Sequence, residues 1–319
     1  MHTGKISEIA YKRSVLKKIT SLNDQVQVGV DASCTELEDV TAVISSNCIL
    51  EWFEGCESYY LQKSLNDIYT KGGIPGSVQI YINIPKDFEE KKLGRIIRNF
   101  NAAVEEKHLE IVSCKTYASN INKPIAHINV LGNTKYHFST QDITENYDVV
   151  MAGTLAIGTT TIMSEKYKKK LQEKLHGKFI SDCMELKKHI DIKEMTDIAL
   201  NHQPVYMHNI SDGGVFGAIW EVASAVDKGV TADVKKIPVW QESIEVAEII
   251  GYNPYVTDGT GAVLIVIPDG SDLVEDLHDK GFFAEIIGKI TSGKDRVVTN
   301  GDEKRFLEPP KGDEIYDWL

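Results

Sequence analysis

The stretch Val205-Tyr-Met-His-Asn-Ile-Ser-Asp-Gly-Gly214 sets the order of the fold. Its first part, Pro204 to His208, has the apolar run of a short strand. Ser211, Asp212 and the glycines break that run, and Ile219, Val222, Ala223 and Val226 then recur at the spacing of a buried helix face. A strand that turns through Ser-Asp-Gly-Gly into a helix over Gly213–Val226 is a βα unit. Ser211 or Asp212 is expected to cap the helix, while Gly213-Gly214 lets another group come close to the backbone. Amides exposed at such a helix start suit an anion.

The alternation continues outward in both directions. Toward the N-terminus, a polar stretch from His137 to Tyr147 precedes a strand at Asp148–Met151 and several helices reaching Ala199. Before it, Val78, Ile80, Ile82 and Ile84 alternate with Gln79, Tyr81 and Asn83, the pattern of a half-buried strand. Helices are expected at Ile6–Ile19, Tyr59–Tyr69 and Phe88–Lys107, and strands at Gln25–Val30, Val40–Ser46, Leu109–Cys114 and Ile125–Leu131. Gly72-Gly73-Ile-Pro75 ends the second helix. Toward the C-terminus come a helix near Glu242–Ile250, a strand at Ala262–Ile267, a helix at Ser271–Asp279 and short strands. The pattern predicts a two-domain α/β (α+β) protein, with domains at 1–147 and 148–319.

A chain of 319 residues fits that count. Acidic residues number 47 against 35 basic ones, a net charge of -12, which argues against nucleic acid as a general partner. The longest strongly apolar run, Gly261–Ile267, is too short to span a membrane, and the opening residues lack the apolar block of a secretory signal. The clusters Tyr167–Lys170 and Glu89–Lys92 are expected on solvated helix faces. Five scattered cysteines without a CxxC pair are expected to be reduced and mostly buried, as in a cytoplasmic protein.

Four constellations could carry chemistry. Gly153-Thr-Leu-Ala-Ile-Gly158-Thr-Thr160 has the spacing of a phosphate-binding loop, but Thr159 stands where that loop needs its lysine, so a plain strand-to-helix turn is expected. Asn66 and Asp67 are poor helix-interior residues, and two together suit either a polar helix face or a hydrated Mg²⁺. Asp31 follows a short apolar run and is either structural or a ligand. The Ser211–Gly214 turn is the fourth. No histidine pair has metal-ligand spacing.

Together these segments resemble the aminoimidazole ribonucleotide (AIR) synthase superfamily, which also includes the hydrogenase maturation protein HypE, selenophosphate synthetase and thiamine-monophosphate kinase. His208-Asn-Ile-Ser-Asp-Gly-Gly214 with Ala218 and Glu221 is similar to the family's HDxSDGG segment. Asn66-Asp67 with Gly73-Ile-Pro75 is similar to its ND helix, and Gly29-Val-Asp31-Ala32 to its GxDAA turn. The opening Gly4-Lys-Ile and the later Asp313-Glu-Ile-Tyr316 look closest to the HypE-like branch.

The resemblance implies a PurM-like fold: an N-terminal α/β domain that dimerises through its sheet and a C-terminal α/β domain. It implies ATP and Mg²⁺ as cofactors, with phosphate used to activate a carbonyl or amide oxygen or transferred outright. Carried over by position, Asp31 and Asp67 would be metal ligands and Asp67 the catalytic acid. Asn47, Asn66, Lys115, Thr116, Ser211, Asp212, Gly213 and Gly214 would join them at the nucleotide. The implied partners are a second copy of the chain, in a homodimer, and a small-molecule or protein substrate, without membrane or nucleic acid.

Several positions depart from the family. Ser45-Ser-Asn47 stands where the family has an acid, and Ser113-Cys-Lys-Thr-Tyr117 replaces a GGxTE loop. Asn209 replaces the aspartate of HDxSDGG. The chain closes on Tyr316-Asp-Trp-Leu319, without the cysteine that carries the carbamoyl group in HypE. Two readings follow: an ATP-dependent enzyme with altered metal ligation, or a non-catalytic nucleotide-binding or scaffold homodimer.

Overall fold

A computed structural model describes residues 3–21, 26–138, 140 and 143–319. The chain divides into two compact units, one formed by Asp31–Tyr136 and the other by Met1–Val30 together with His137–Trp318. This packing groups the opening thirty residues with the later half, a different partition from the division at 147/148 read along the sequence.

The first helix, α1 (Glu8–Ser14), is shorter than the expected Ile6–Ile19; a 3₁₀ turn at Leu16–Lys18 follows it. The strand expected at Gln25–Val30 is not seen. Gln25 lies outside the described residues, and residues 26–30 form a turn. Gly29 has φ +80°, and a Cβ there would stand 2.2 Å from the Glu221 carbonyl oxygen, so the backbone bends in a way that only glycine permits.

The smaller unit contains β1 (Ser33–Leu37), β2 (Val40–Ile49), α2 (Cys56–Tyr69), β3 (Ile74–Pro85), α3 (Glu90–Glu106), β4 (Glu110–Ser119) and β5 (Ile125–Thr134). Its strands form a five-stranded sheet in the order β1-β2-β5-β3-β4. Only β3 and β4 run parallel, joined by α3 as their crossover. The alternation read at Val78–Ile84 puts Val78, Ile80 and Ile82 into the core with Ala126, Ile128 and Val130 of β5. Helices α2 and α3 pack on that face. The opposite face carries exposed Leu37, Val40, Ile44, Tyr81, Tyr117 and Leu131.

The larger unit adds β6 (Asp148–Ala152), α4 (Ile157–Lys166), α5 (Lys168–Gln172), α6 (Gly177–Glu185), α7 (Lys193–Asn201), β7 (Tyr206–Ile210), α8 (Gly214–Ala225) and β8 (Gly229–Asp233). It finishes with α9 (Gln241–Ile250), β9 (Ala262–Ile267), α10 (Ser271–Asp279), β10 (Ala284–Thr291), β11 (Arg296–Asn300) and β12 (Glu303–Phe306). The seven strands are ordered β12-β11-β8-β10-β6-β9-β7. Strands β6 and β9 are buried at every position, which explains their unbroken apolar sequence. Val215, Ala218, Ile219 and Val222 of α8 pack into the core with Met151, Leu264 and Val266.

The loop that mimics a phosphate-binding motif is the expected strand-to-helix turn, with Gly153 at φ +90° and Ala156 at φ 54° before α4. All five cysteines are free; Cys56 and Cys183 are buried, Cys34 and Cys48 half-buried, and Cys114 exposed, so fewer are buried than expected. Among the described residues, no helix is long and apolar enough to cross a membrane.

Candidate functional site

In the smaller unit, α2 gathers polar side chains that a surface helix would turn outward. Leu61, Leu65 and Ile68 form the expected apolar stripe, yet Glu57, Gln62, Lys63, Ser64, Asn66 and Asp67 are buried as well. Buried polar groups must find partners, and these do. Ser45 Oγ and Asn47 Nδ2 each donate to Asp67 Oδ2 at 2.8 Å. Asn47 also donates to Ser64 Oγ at 3.0 Å, and Gln62 donates to Asn66 Oδ1 at 2.8 Å. Thr70 Oγ1 reaches Asp31 Oδ2 at 3.1 Å. Asn47, which stands where the family has an acid, thus joins Ser45 in holding Asp67.

Lys71, which nothing in the motif reading selected, joins this cluster. It is buried at 7% exposure, four residues after Asp67, and its carbonyl accepts a hydrogen bond from Thr134 Oγ1 at 2.7 Å. Burial pulls the Lys71 ammonium below its ordinary pKa, and the charges of Asp31, Cys34 and Asp67 pull it back up. The i, i+4 spacing from Asp67 is the signal that could have found it.

Lys115 and Thr116 both lie exposed on the edge strand β4. Lys115 is paired with Tyr81 and Thr116 with Ile82, so Lys115 is on the open face of the sheet and Thr116 on the helix-covered face. Asn47 aligns with Ile128, Ile80 and Cys114 across the sheet, which separates β4 from β2 by about 14 Å at three strand spacings. The structure therefore joins Asn47 to Asp67, sets Asp31 against Thr70 at the end of the same helix and Asn66 against Gln62, and leaves Lys115 and Thr116 apart from them.

In the larger unit, the Ser211–Gly214 turn borders a cavity of about 370 Å³. Lys5, Glu8, Tyr11, Gly29, Trp220 and Glu221 contribute to its wall, together with Asp212 and Gly213. Lys5 pairs with Glu221, whose second oxygen lies 3.1 Å from His208 Nε2. Burial would raise the Glu221 carboxyl, but Lys5 and His208 outweigh it and hold the pKa at about 2. The Tyr206 ring stacks on His208, and its hydroxyl donates to the Gly29 carbonyl. Trp220 donates its indole N–H to Glu8, and the Arg296 guanidinium lies 3.9 Å over the Trp220 ring.

The expected side-chain cap by Ser211 or Asp212 is absent. Gly213 is the N-cap of α8 in the left-handed region, and its N–H donates to Asp313 Oδ2 at 2.7 Å. Gly214 has φ +62°, and a Cβ would meet the Thr257 carbonyl oxygen at 2.6 Å; this crowding excludes the regular capped start that the sequence suggested. Asp212, Asp258 and Asp313 bring carboxylate oxygens within 4.8 Å of one another. Burial, then the charges of Asp258 and Asp212, push the Asp313 carboxyl well above the usual range. Asp313 lies a hundred residues from Gly213, so no local pattern could announce it.

Residues 147–300 match the family described as AIR synthase related protein, C-terminal domain. A Methanocaldococcus jannaschii protein named as a hydrogenase expression/formation protein is 24% identical over 329 residues, covering 98% of this chain and 96% of its own. A chain of a HypE–HypF complex superposes with a TM-score of 0.71 at 16% identity, over 94% of this chain and 100% of that one. AaThiL complexed with AMPPCP and TMP gives 0.72 at 17% identity, over 94% and 96%. Residues 147–300 are thus an AIR synthase-related C-terminal domain, and the chain as a whole shares the fold of these structures.

Proposed function

We propose that this protein binds an adenine nucleotide and works as an ATP-dependent enzyme, activating a carbonyl or amide oxygen or transferring phosphate to a small molecule or a protein. The observation that carries the reading is the pair of a buried Asp67 and a half-buried Asp31, with Ser45 and Asn47 donating to the first and Thr70 to the second. It occurs in a fold shared with AaThiL, which is described with the nucleotide analogue AMPPCP. The hydrogenase expression/formation relative supports a maturation role.

The proposed contacts within the smaller unit are Asp31, Asn47, Asn66 and Asp67, with Asp67 as the central acid; Thr116, three strands from Asn47, is left out. Those within the larger unit are Ser211, Asp212, Gly213 and Gly214, although in this state the Gly213 amide donates to Asp313 and the Gly214 amide to the Ser211 carbonyl. Lys115 is omitted, because its side of the sheet is the open one. Calorimetry with ATP tests the reading: a saturable heat at millimolar ATP or below is expected, and no heat sinks it. Phosphate release in the presence of candidate substrates then tests the enzyme.

One observation favours a non-catalytic reading. Ser113–Tyr117 is regular strand, where the family has a glycine-rich loop. Nucleotide binding without turnover on any substrate would select that reading. In either case we propose a homodimer, supported by the exposed apolar side chains on one face of the smaller sheet. A cytoplasmic location goes with it, supported by the five free thiols.

A further inference from the structure

We propose that Lys71 supplies, from within the chain, the positive charge that a divalent cation would bring to Asp31 and Asp67, so that this cluster receives a phosphate-bearing ligand without a metal at those two carboxylates. The proposal rests on the nucleotide-binding reading for its ligand, but its statement about metal stands on the cluster itself.

Three observations lead to it. The first is position. Asp67 lies in the last turn of α2, and Lys71, four residues on, follows its C-cap Thr70. Thr70, between them, donates to Asp31, which brings the second carboxylate to the same helix end. The Lys71 carbonyl is held by Thr134, so its backbone is fixed rather than trailing from the helix. A helix C-terminus also favours a cation there.

The second is burial. Lysine is almost never fully buried unless paired, because an ammonium removed from water without a counter-charge is costly. Lys71 is buried, and Asp31, Cys34 and Asp67 are the groups whose charges act on it. The third is the state of the carboxylates. Asp67 Oδ2 already accepts from both Ser45 and Asn47, and Asp31 Oδ2 from Thr70. Mg²⁺ demands near-octahedral oxygen ligands and seldom sheds its waters. Here it would share those carboxylates with the donors and with a buried ammonium. The asparagine at 47, in place of an acid, lowers the negative charge toward what a lysine can balance. The residues present therefore fit an ammonium better than a divalent ion, and that ammonium can donate directly to phosphate oxygens.

Two measurements on the full-length protein test this. In calorimetry with ATP, affinity in excess EDTA should stay within about threefold of that in Mg²⁺; a loss of about tenfold or more overturns the proposal. No ATP binding in either arm removes the nucleotide reading and leaves the metal statement to the second measurement. In that measurement, Mn²⁺ alone is titrated and followed by electron paramagnetic resonance. Wild-type protein should show no Mn²⁺ binding that Asp31→Asn abolishes; binding lost on that substitution overturns the proposal. Lys71→Met should create a Mn²⁺ site sensitive to Asp31→Asn. Should Lys71→Met fail to fold, the wild-type and Asp31→Asn titrations still decide.

Discussion

At the scale of single residues, Glu221 shows how buried charge is kept. Its carboxyl is almost out of contact with water, so it stays ionised only because Lys5 and His208 face it. The direction of its shift fixes a pH dependence. A folded-state pKa of about 2 lies below the ordinary 4.5, so Glu221 contributes stability that is fully present above pH 4.5 and lost as pH falls toward 2. Glu221→Gln should lower stability near neutral pH by roughly 1–3 kcal/mol, since the remaining hydrogen bonds lose their charge assistance. It should also flatten the decline in melting temperature across that acid window. Parallel acid profiles for the two proteins would assign the ion pair no part in stability.

At the scale of elements, the start of α8 depends on backbone conformation more than on capping chemistry. Gly214→Ala puts a methyl group where the Thr257 and Tyr255 carbonyl oxygens already lie within 2.7 Å, in a region of φ that alanine resists. A loss of about 2 kcal/mol or more is expected in denaturant unfolding, because both strain terms act together. Gly177 has nothing within 4 Å of its virtual Cβ, so Gly177→Ala is the control and should change little. Equal stability of the two variants would refute the crowding argument.

The elements also show what could be read from the chain. Strand β3 and helices such as α10 were legible because local periodicity reflects which face is buried, and β9 because an unbroken apolar run fits a strand buried on both faces. Asp31, Asn66 and Asp67 were legible as a group from their motifs. The turn at 26–30 was not, because Val26 and Val28 look strand-like while Gly29 is bent by a carbonyl of distant Glu221. Nor was Asp313 as the partner of Gly213, for the same reason of sequence distance. Lys71 sat in plain view four residues past Asp67, but its meaning depends on burial, which periodicity in a helix buried on all sides cannot report.

At the scale of the whole molecule, the open face of the smaller unit's sheet is the feature without an explanation inside one chain. Leu37 and Val40 are directly paired on β1 and β2, and Ile44 pairs with Leu131 on β5. Tyr81 and Tyr117 stack at 5.3 Å on β3 and β4. All six side chains are exposed, between 37% and 59%. Apolar side chains occur on every strand of this face, with the polar row Ser46, Asn129 and Gln79 between the aliphatic end and the tyrosine pair, and exposed apolar surface of this kind marks interaction surfaces. A second copy can cover that patch with the same residues about a two-fold axis, which needs no other partner. Tyrosine is among the residue types that dominate interface energy, so Tyr81→Lys and Tyr117→Lys together should weaken association by about 2 kcal/mol or more, roughly thirtyfold in Kd. Light scattering should then find wild type at twice the 35.6 kDa chain mass and the double variant moving toward the single-chain mass with dilution. The variant should keep its melting temperature at high concentration, because both side chains point away from the core. Wild type running as a monomer would remove the dimer from the proposal and leave the patch to another partner.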